Sequence, residues 1–165
     1  MKLTPILLLA LIVINAPAMA QIEEGDREIQ ASAYVFTVSG VTMVNVSGIF
    51  GYYFTPRMVL GGGPTINYID YIIGSNTTVG LTFFGKYNFT ARDKLVPYMS
   101  AQWYQYDLSP GDPFGFFDFS FIQAGGGFKY FLNDYVAYDI SGNLGFSLGG
   151  GDVAFIAVAG LAAIF

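Results

Sequence analysis

The sequence predicts an all-β protein: an eight-stranded antiparallel up-and-down β-barrel that crosses a membrane. Three observations carry this prediction. Hydrophobic residues make up 53% of the 165-residue chain and charged residues only 12%, about half the charged share of a soluble domain. After the first twenty residues, the longest nearly unbroken apolar stretch, 153–165, would rise only ~20 Å as a helix, against a hydrocarbon core of ~30 Å. Short segments of period two recur between breaks rich in Gly, Pro, Asn and Asp. Lipid tolerates only helices and closed barrels, so high apolar content without a spanning helix points to a barrel.

The N-terminus reads as an export signal. Lys2 is a single basic start, residues 6–14 are apolar and uncharged, and Ala18-Met19-Ala20 is a small-x-small cleavage site. The apolar run falls short of the ~20 residues a spanning helix needs. Residues 1–20 are therefore expected to be cleaved, with Ala18 and Ala20 defining the cut. Residues 21–28 form a short lead-in whose Glu23, Glu24, Asp26 and Glu28 are expected to be solvated, and residues 29–165 form the barrel. Loss of Lys2 leaves six basic against twelve acidic residues, a net charge of −6. That balance argues against nucleic acid and against a polybasic membrane-surface mode. The chain has no Cys, which excludes a lipid-modified cysteine, a disulfide and a thiolate metal site.

The punctuation places strands at about 29–38, 42–54, 58–69, 77–89, 95–107, 115–131, 135–147 and 153–165. The breaks are Ser39-Gly40, Thr55-Pro56-Arg57, 70–76, 91–94, 109–113, Asn133-Asp134 and 149–152. Most segments reach the ~9–11 residues of a tilted membrane strand. In the fourth, Val79, Leu81, Phe83, Tyr87 and Phe89 oppose Thr78, Gly80, Thr82, Lys86 and Asn88. In the seventh, Val136, Tyr138, Ile140, Leu144 and Phe146 oppose Ala137, Asp139, Ser141, Asn143 and Gly145. In the second, Val44, Val46, Phe50, Tyr52 and Phe54 oppose Asn45, Ser47 and Gly51. Apolar out and small or polar in is the membrane-barrel pattern. Tyr52, Tyr53, Phe54, Tyr87, Phe89, Tyr104, Tyr106, Tyr130 and Phe131 lie near strand ends, where interfacial girdles belong. The sixth strand changes parity between Phe117, Phe119, Phe121 and Phe128, Tyr130, which predicts a bulge near Gly125-Gly126-Gly127. The eighth is apolar on both faces.

Lys86, Asp139, Asn45 and Asn143 are the polar candidates for the lumen, with Lys129 and Asp118 in or near it. Two readings compete: an ion-selective constriction, and a salt-bridged plug in a bore barely wider than its own side chains. The chain has no His, and a Ser without a base stays a weak nucleophile, so no enzyme is expected. The three Gly triplets (61–63, 125–127, 149–151) lack the Lys-Ser/Thr of a phosphate loop. Asp107, Asp112 and Asp118 fit no calcium loop. Neither a metal site nor a cofactor is expected.

The end of the chain, with Gly160, Leu161 and terminal Phe165, resembles the insertion signal of bacterial outer-membrane barrels, departing from it at Ala163 and Ile164. Thr55-Pro56-Arg57-Met58-Val59-Leu60-Gly61-Gly62-Gly63, Lys94-Leu95-Val96-Pro97-Tyr98 and Gly126-Gly127-Phe128-Lys129-Tyr130-Phe131-Leu132-Asn133-Asp134-Tyr135-Val136-Ala137 resemble the hairpins of the small outer-membrane β-barrel family. This is the OmpX and OmpA-transmembrane-domain type, also labelled opacity-like or porin-family. The resemblance covers essentially all of 21–165. It implies the outer membrane of a Gram-negative bacterium, periplasmic termini with a periplasmic 21–28 lead-in, and short periplasmic turns at 55–57, 91–94 and 133–134. It implies as partners the outer-membrane lipids, periplasmic chaperones and the barrel-insertion machinery. The peptidoglycan-binding domain of the OmpA type is not expected. Full closure leaves no strand edge needing a partner, so a monomer is expected.

Three functions are weighed. The first is a non-enzymatic barrel with a structural or surface-interaction role and a plugged lumen. The second is a narrow porin-like passage for small or apolar solutes, motivated by the small lumen residues Gly80, Ala137, Gly145, Ala154, Gly160 and Ala162. Whether Met99, Trp103, Phe84 and Tyr53 point inward separates these two. The third, a soluble lipocalin-like barrel, would expose far more apolar surface than the few hundred Å² normal on a soluble monomer.

Overall fold

In the computed structural model the described residues are 22–38, 41–71, 74–89, 94–108, 120–148 and 153–165. The eight strands are β1 (Arg27–Val38), β2 (Val41–Thr55), β3 (Met58–Tyr71), β4 (Gly74–Asn88), β5 (Leu95–Gln105), β6 (Ser120–Phe131), β7 (Val136–Ser147) and β8 (Val153–Ile164). Each pairs antiparallel with the next, and β8 pairs back onto β1 to close the barrel. Phe165 completes the seam: its N–H donates to Arg27 O at 3.0 Å, and Arg27 N–H donates to Phe165 O at 2.8 Å. The expected signal segment with Ala18 and Ala20, the breaks at 39–40, 109–113 and 149–152, residues 91–93 and Asp112, Phe117, Asp118 and Phe119 lie outside the described residues.

Alternation builds the wall. Along β4 the odd positions Val79, Phe83 and Tyr87 are exposed, while Thr82, Phe84, Lys86 and Asn88 are buried. The same period runs through β7, with Tyr138, Ile140, Leu144 and Phe146 outside and Ala137, Asp139, Ser141 and Asn143 inside. A two-residue period on a closed sheet gives one solvent-facing or lipid-facing surface and one enclosed surface, so the core is the lumen.

Four expectations are corrected. β1 begins at Arg27, and Glu28 is fully buried within it rather than solvated. The expected 70–76 connection is the end of a hairpin, with Asp70 opposite Ser75 and Tyr71 opposite Gly74. No bulge interrupts 125–127: Gly125, Gly126 and Gly127 keep register with both β5 and β7. Those glycines answer crowding instead, since a Cβ on Gly127 would lie 2.8 Å from the Tyr98 hydroxyl and 2.8 Å from Ser141 Cβ. The parity change arises because Phe121 faces the far mouth of the lumen, edge-on to Tyr106 at 5.0 Å between ring centroids. The register shift occurs in β2, between Tyr53 and Thr55. Finally, Tyr53, Tyr104, Tyr106 and Phe131 are buried in the lumen, whereas Tyr52, Phe54, Tyr87, Phe89 and Tyr130 are exposed where a girdle requires.

The doubly apolar β8 has a use for both faces. Phe155 and Leu161 point out, while Ile156 and Val158 pack with Tyr34 at the far end and Ile164 joins a cluster at the end holding the termini. The small inner residues seat large ones. A Cβ on Gly51 would meet Val59 Cγ2 at 2.8 Å and Phe84 Cζ at 3.1 Å, and one on Gly145 would meet Ile156 Cδ1 at 3.3 Å.

Candidate functional site

Four ionisable side chains from four strands meet inside the lumen. Glu28 and Lys129 are fully buried, Asp139 is 2% exposed and Lys86 5%. Lys129 Nζ donates to Glu28 Oε2 at 2.5 Å and to the Tyr53 hydroxyl at 2.7 Å. Lys86 Nζ donates to Gln30 Oε1 at 2.7 Å, Asp139 Oδ2 at 3.0 Å and Glu28 Oε1 at 3.3 Å. The Tyr53 hydroxyl donates to Glu28 Oε2 at 2.6 Å, and the Tyr98 hydroxyl donates to Asp139 Oδ1. Both ammonium groups also lie over rings: Lys86 over Phe84 and Tyr98, Lys129 over Tyr53 and Tyr98.

The network spans β1, β2, β4, β5, β6 and β7 and balances two cations against two carboxylates. Buried charges are tolerated when paired and hydrogen-bonded: each of the four contacts an opposite charge, Lys86 makes three hydrogen bonds, and Lys129 makes two and lies over the Tyr53 and Tyr98 rings. Within the network each carboxylate is paired with an ammonium group.

The network is closed off on both sides. Towards the end holding the termini, Ile49, Tyr53, Val59, Phe84, Val96, Phe131, Ala137 and Ile164 form an apolar floor, against which Ile22 packs. On the other side lies a cavity of about 10 Å³ edged by Gln30, Ser47, Lys86, Gln102, Asp139 and Ser141, about one water in size. Beyond it comes a polar layer. Asn45 Nδ2 donates to Asn67 Oδ1 at 2.6 Å, Ser47 donates to Asn45 Oδ1 at 2.8 Å, and Ser100 donates to Asn143 Oδ1 at 3.2 Å. Tyr106 roofs this layer. Its hydroxyl meets that of Tyr34, and its carbonyl accepts from Asn67 Nδ2 at 2.9 Å and Thr78 Oγ1 at 2.7 Å.

Of the residues singled out in the sequence, Lys86, Lys129 and Asp139 meet in the network, and Asn45 and Asn143 lie in the polar layer. Phe84 and Tyr53 point inward, whereas Met99 is 52% exposed and Trp103 stacks on Phe83 of the outer face. Sequence reasoning missed Glu28, Gln30 and Tyr98. Period two would have found the first two, because Ile29, Ala31, Ala33 and Val35 oppose Glu28, Gln30, Ser32 and Tyr34. At the seam, Leu161 and Phe165 are exposed outward, and Gly160 faces Ser32 so closely that a Cβ would fall 2.9 Å from Ser32 Cβ.

No family model matches the chain, and no curated protein matches it by sequence. Solved structures do. The N-terminal β-barrel domain of Pseudomonas aeruginosa OprF aligns over 86% of this chain and 98% of its own, at 19% identity and a TM-score of 0.59. A de novo designed transmembrane β-barrel aligns over 89% of this chain and 100% of its own, at 17% identity and a TM-score of 0.56. The outer membrane protein OprG of Pseudomonas aeruginosa aligns over 89% of this chain and 99% of its own, at 12% identity and a TM-score of 0.49. At such identities the likeness is one of fold: the chain is a closed, eight-stranded antiparallel barrel with the architecture of the OprF barrel domain and of the designed transmembrane barrel.

Proposed function

We propose that the chain is a non-enzymatic integral protein of the Gram-negative outer membrane, with a structural or surface-interaction role and a lumen closed by its own side chains. The observation that carries this reading is the compensated network of Glu28, Lys86, Lys129 and Asp139, stacked between an apolar floor and a tyrosine roof. A conducting bore needs a continuous wet path, and here the space beside the network is about 10 Å³. The outer face supports the membrane location: Phe50, Phe54, Phe83, Phe146, Phe155 and many aliphatic side chains are roughly half exposed, which water would penalise and lipid favours. In this reading residues 1–20 are removed at Ala18-Met19-Ala20. The last strand, with Gly160, Leu161 and Phe165, is recognised by the insertion machinery after periplasmic chaperones deliver the chain.

The test is conductance of the refolded protein in a planar bilayer. The expected outcome is insertion, seen as protection of the barrel from protease, with no discrete openings. Stable unitary currents would overturn the plug and favour a narrow passage instead.

A further inference from the structure

The outward face of β3–β6 is indented. A groove of about 410 Å³ opens there, walled by Leu60, Tyr87 and Met99 and floored by Gly85, Ala101 and Ala124. The floor follows one row of the sheet, Leu60 opposite Gly85, Gly85 opposite Ala101 and Ala101 opposite Ala124. Bulk returns on both sides. Phe83 and Trp103 stack in the row towards the far mouth, and Tyr87 is paired with Met99 in the row towards the termini. A depression on a lipid-facing sheet is filled by an aliphatic chain, the one material available at that depth.

The foot of the groove carries a charge. Arg57 lies in the β2–β3 turn, next to Met58, and its Nη1 is 3.4 Å from the Tyr87 hydroxyl. The turn is held by Thr55 Oγ1, which accepts from Met58 N–H at 3.0 Å. Among the described residues no carboxylate pairs with Arg57. A guanidinium presents a planar fork of donors that matches phosphate oxygens. From Tyr87 to Gly85 is two residues, ~7 Å along a strand, so the cation stands one short step from the apolar floor. The chain as a whole is acidic, so any preference for an anion must be local to this site.

We propose that the groove binds one anionic phospholipid, with a chain over Gly85, Ala101 and Ala124 and the phosphate against Arg57 and the Tyr87 hydroxyl. The proposal rests on the membrane reading above. The full mature chain is inserted into vesicles of equal phosphatidylcholine and phosphatidylglycerol, floated with them, and released for native mass spectrometry to read the lipid it retains. One phosphatidylglycerol is expected in preference to phosphatidylcholine. Arg57→Gln is expected to lower that preference about fivefold, and Arg57→Lys to keep most of it. Ala101→Leu, filling the floor from the lipid side, is expected to lower retention of either lipid. Arg27→Gln removes another exposed cation at the same end and is expected to change nothing. Equal retention of the two lipids by the native chain, or an unchanged preference in Arg57→Gln, overturns the proposal; undiminished retention in Ala101→Leu overturns the groove. A chain that does not float with the vesicles overturns the membrane reading as well, whereas one that floats without lipid preference overturns this site alone.

Discussion

Glu28 is the carboxylate on which the lumen network depends most, and its removal gives a quantitative test. Among the described residues it is the one carboxylate in ion-pair contact with Lys129, at 2.5 Å, and it also contacts Lys86, at 3.3 Å; Asp139, opposite Lys129 in the sheet, bonds Lys86 and Tyr98 instead. At an effective dielectric of ~20, contacts this close carry about 5–7 kcal/mol of raw attraction each. Lys86 retains Asp139 at 3.0 Å, so the loss in Glu28→Gln falls on Lys129, left with hydroxyl and ring partners and a network charge of about +1. The expected cost is ~3–5 kcal/mol. Lys129→Met inverts the imbalance, leaving two carboxylates on Lys86, and is expected to cost a similar ~3–5 kcal/mol. The double variant keeps the neutral Lys86–Asp139 pair and removes a neutral pair. It is therefore expected to be more stable than either single variant, with a coupling of about 3 kcal/mol or more. Urea titration from phosphatidylcholine vesicles reads this through Trp103, the single tryptophan, which stacks on Phe83 of the outer face. Costs that simply add in the double variant would refute the argument, because independent charges are solvated charges.

Three further outcomes follow from the geometry. Asp139→Ala lowers the melting temperature but costs less than Glu28→Gln, since Lys86 keeps Glu28 and Gln30; unchanged melting would place Asp139 in solvent. Gly61→Ala is expected to cost ~1–3 kcal/mol by overpacking, because its Cβ would run into Phe50 O and lie 2.7 Å from both Gly51 Cα and Phe84 Cε1; equilibrium unfolding at native level would mean that the β2 backbone gives way as well as Phe84. Leu144→Arg, on the exposed face of β7, is expected to cost on the order of 2 kcal/mol in a bilayer and little in a mild detergent. Equal costs in the two media would show that this face does not meet lipid.

The two-residue period explains why so much of the wall was legible. In β2, β4 and β7 most outward positions are apolar and most inward ones small or polar, so strand, facing and the lumen positions of Lys86, Asp139, Asn45 and Asn143 could be read along the chain. Where the pattern failed, a local signal of another kind masked it. Glu28 stands beside Glu23, Glu24 and Asp26, and a run of acids reads as solvated until its alternation with Ile29 and Ala31 is weighed. The spacing of β5 does not reveal its facing because both faces carry large side chains, Tyr98 and Tyr104 inside against Met99 and Trp103 outside. In β8 both faces are apolar, because its inner residues pack against Tyr34 and the floor rather than facing a wet bore.

The sequence determined the class, the strand count and most of the facing, because these depend on spacing along one chain and on what lipid will accept. Only the tertiary structure decided which lumen side chains meet. Glu28 and Lys129 are 101 residues apart and Lys86 and Asp139 are 53 apart, and nothing local pairs them. Their meeting depends on the closure of β8 onto β1 and on the stagger between strands, which together set which inward side chains share a level. The same closure sets Ile156 against Gly145, one of the small residues that motivate a passage, while Phe84 lies over Gly51 and Gly61 and the Tyr98 hydroxyl over Gly127.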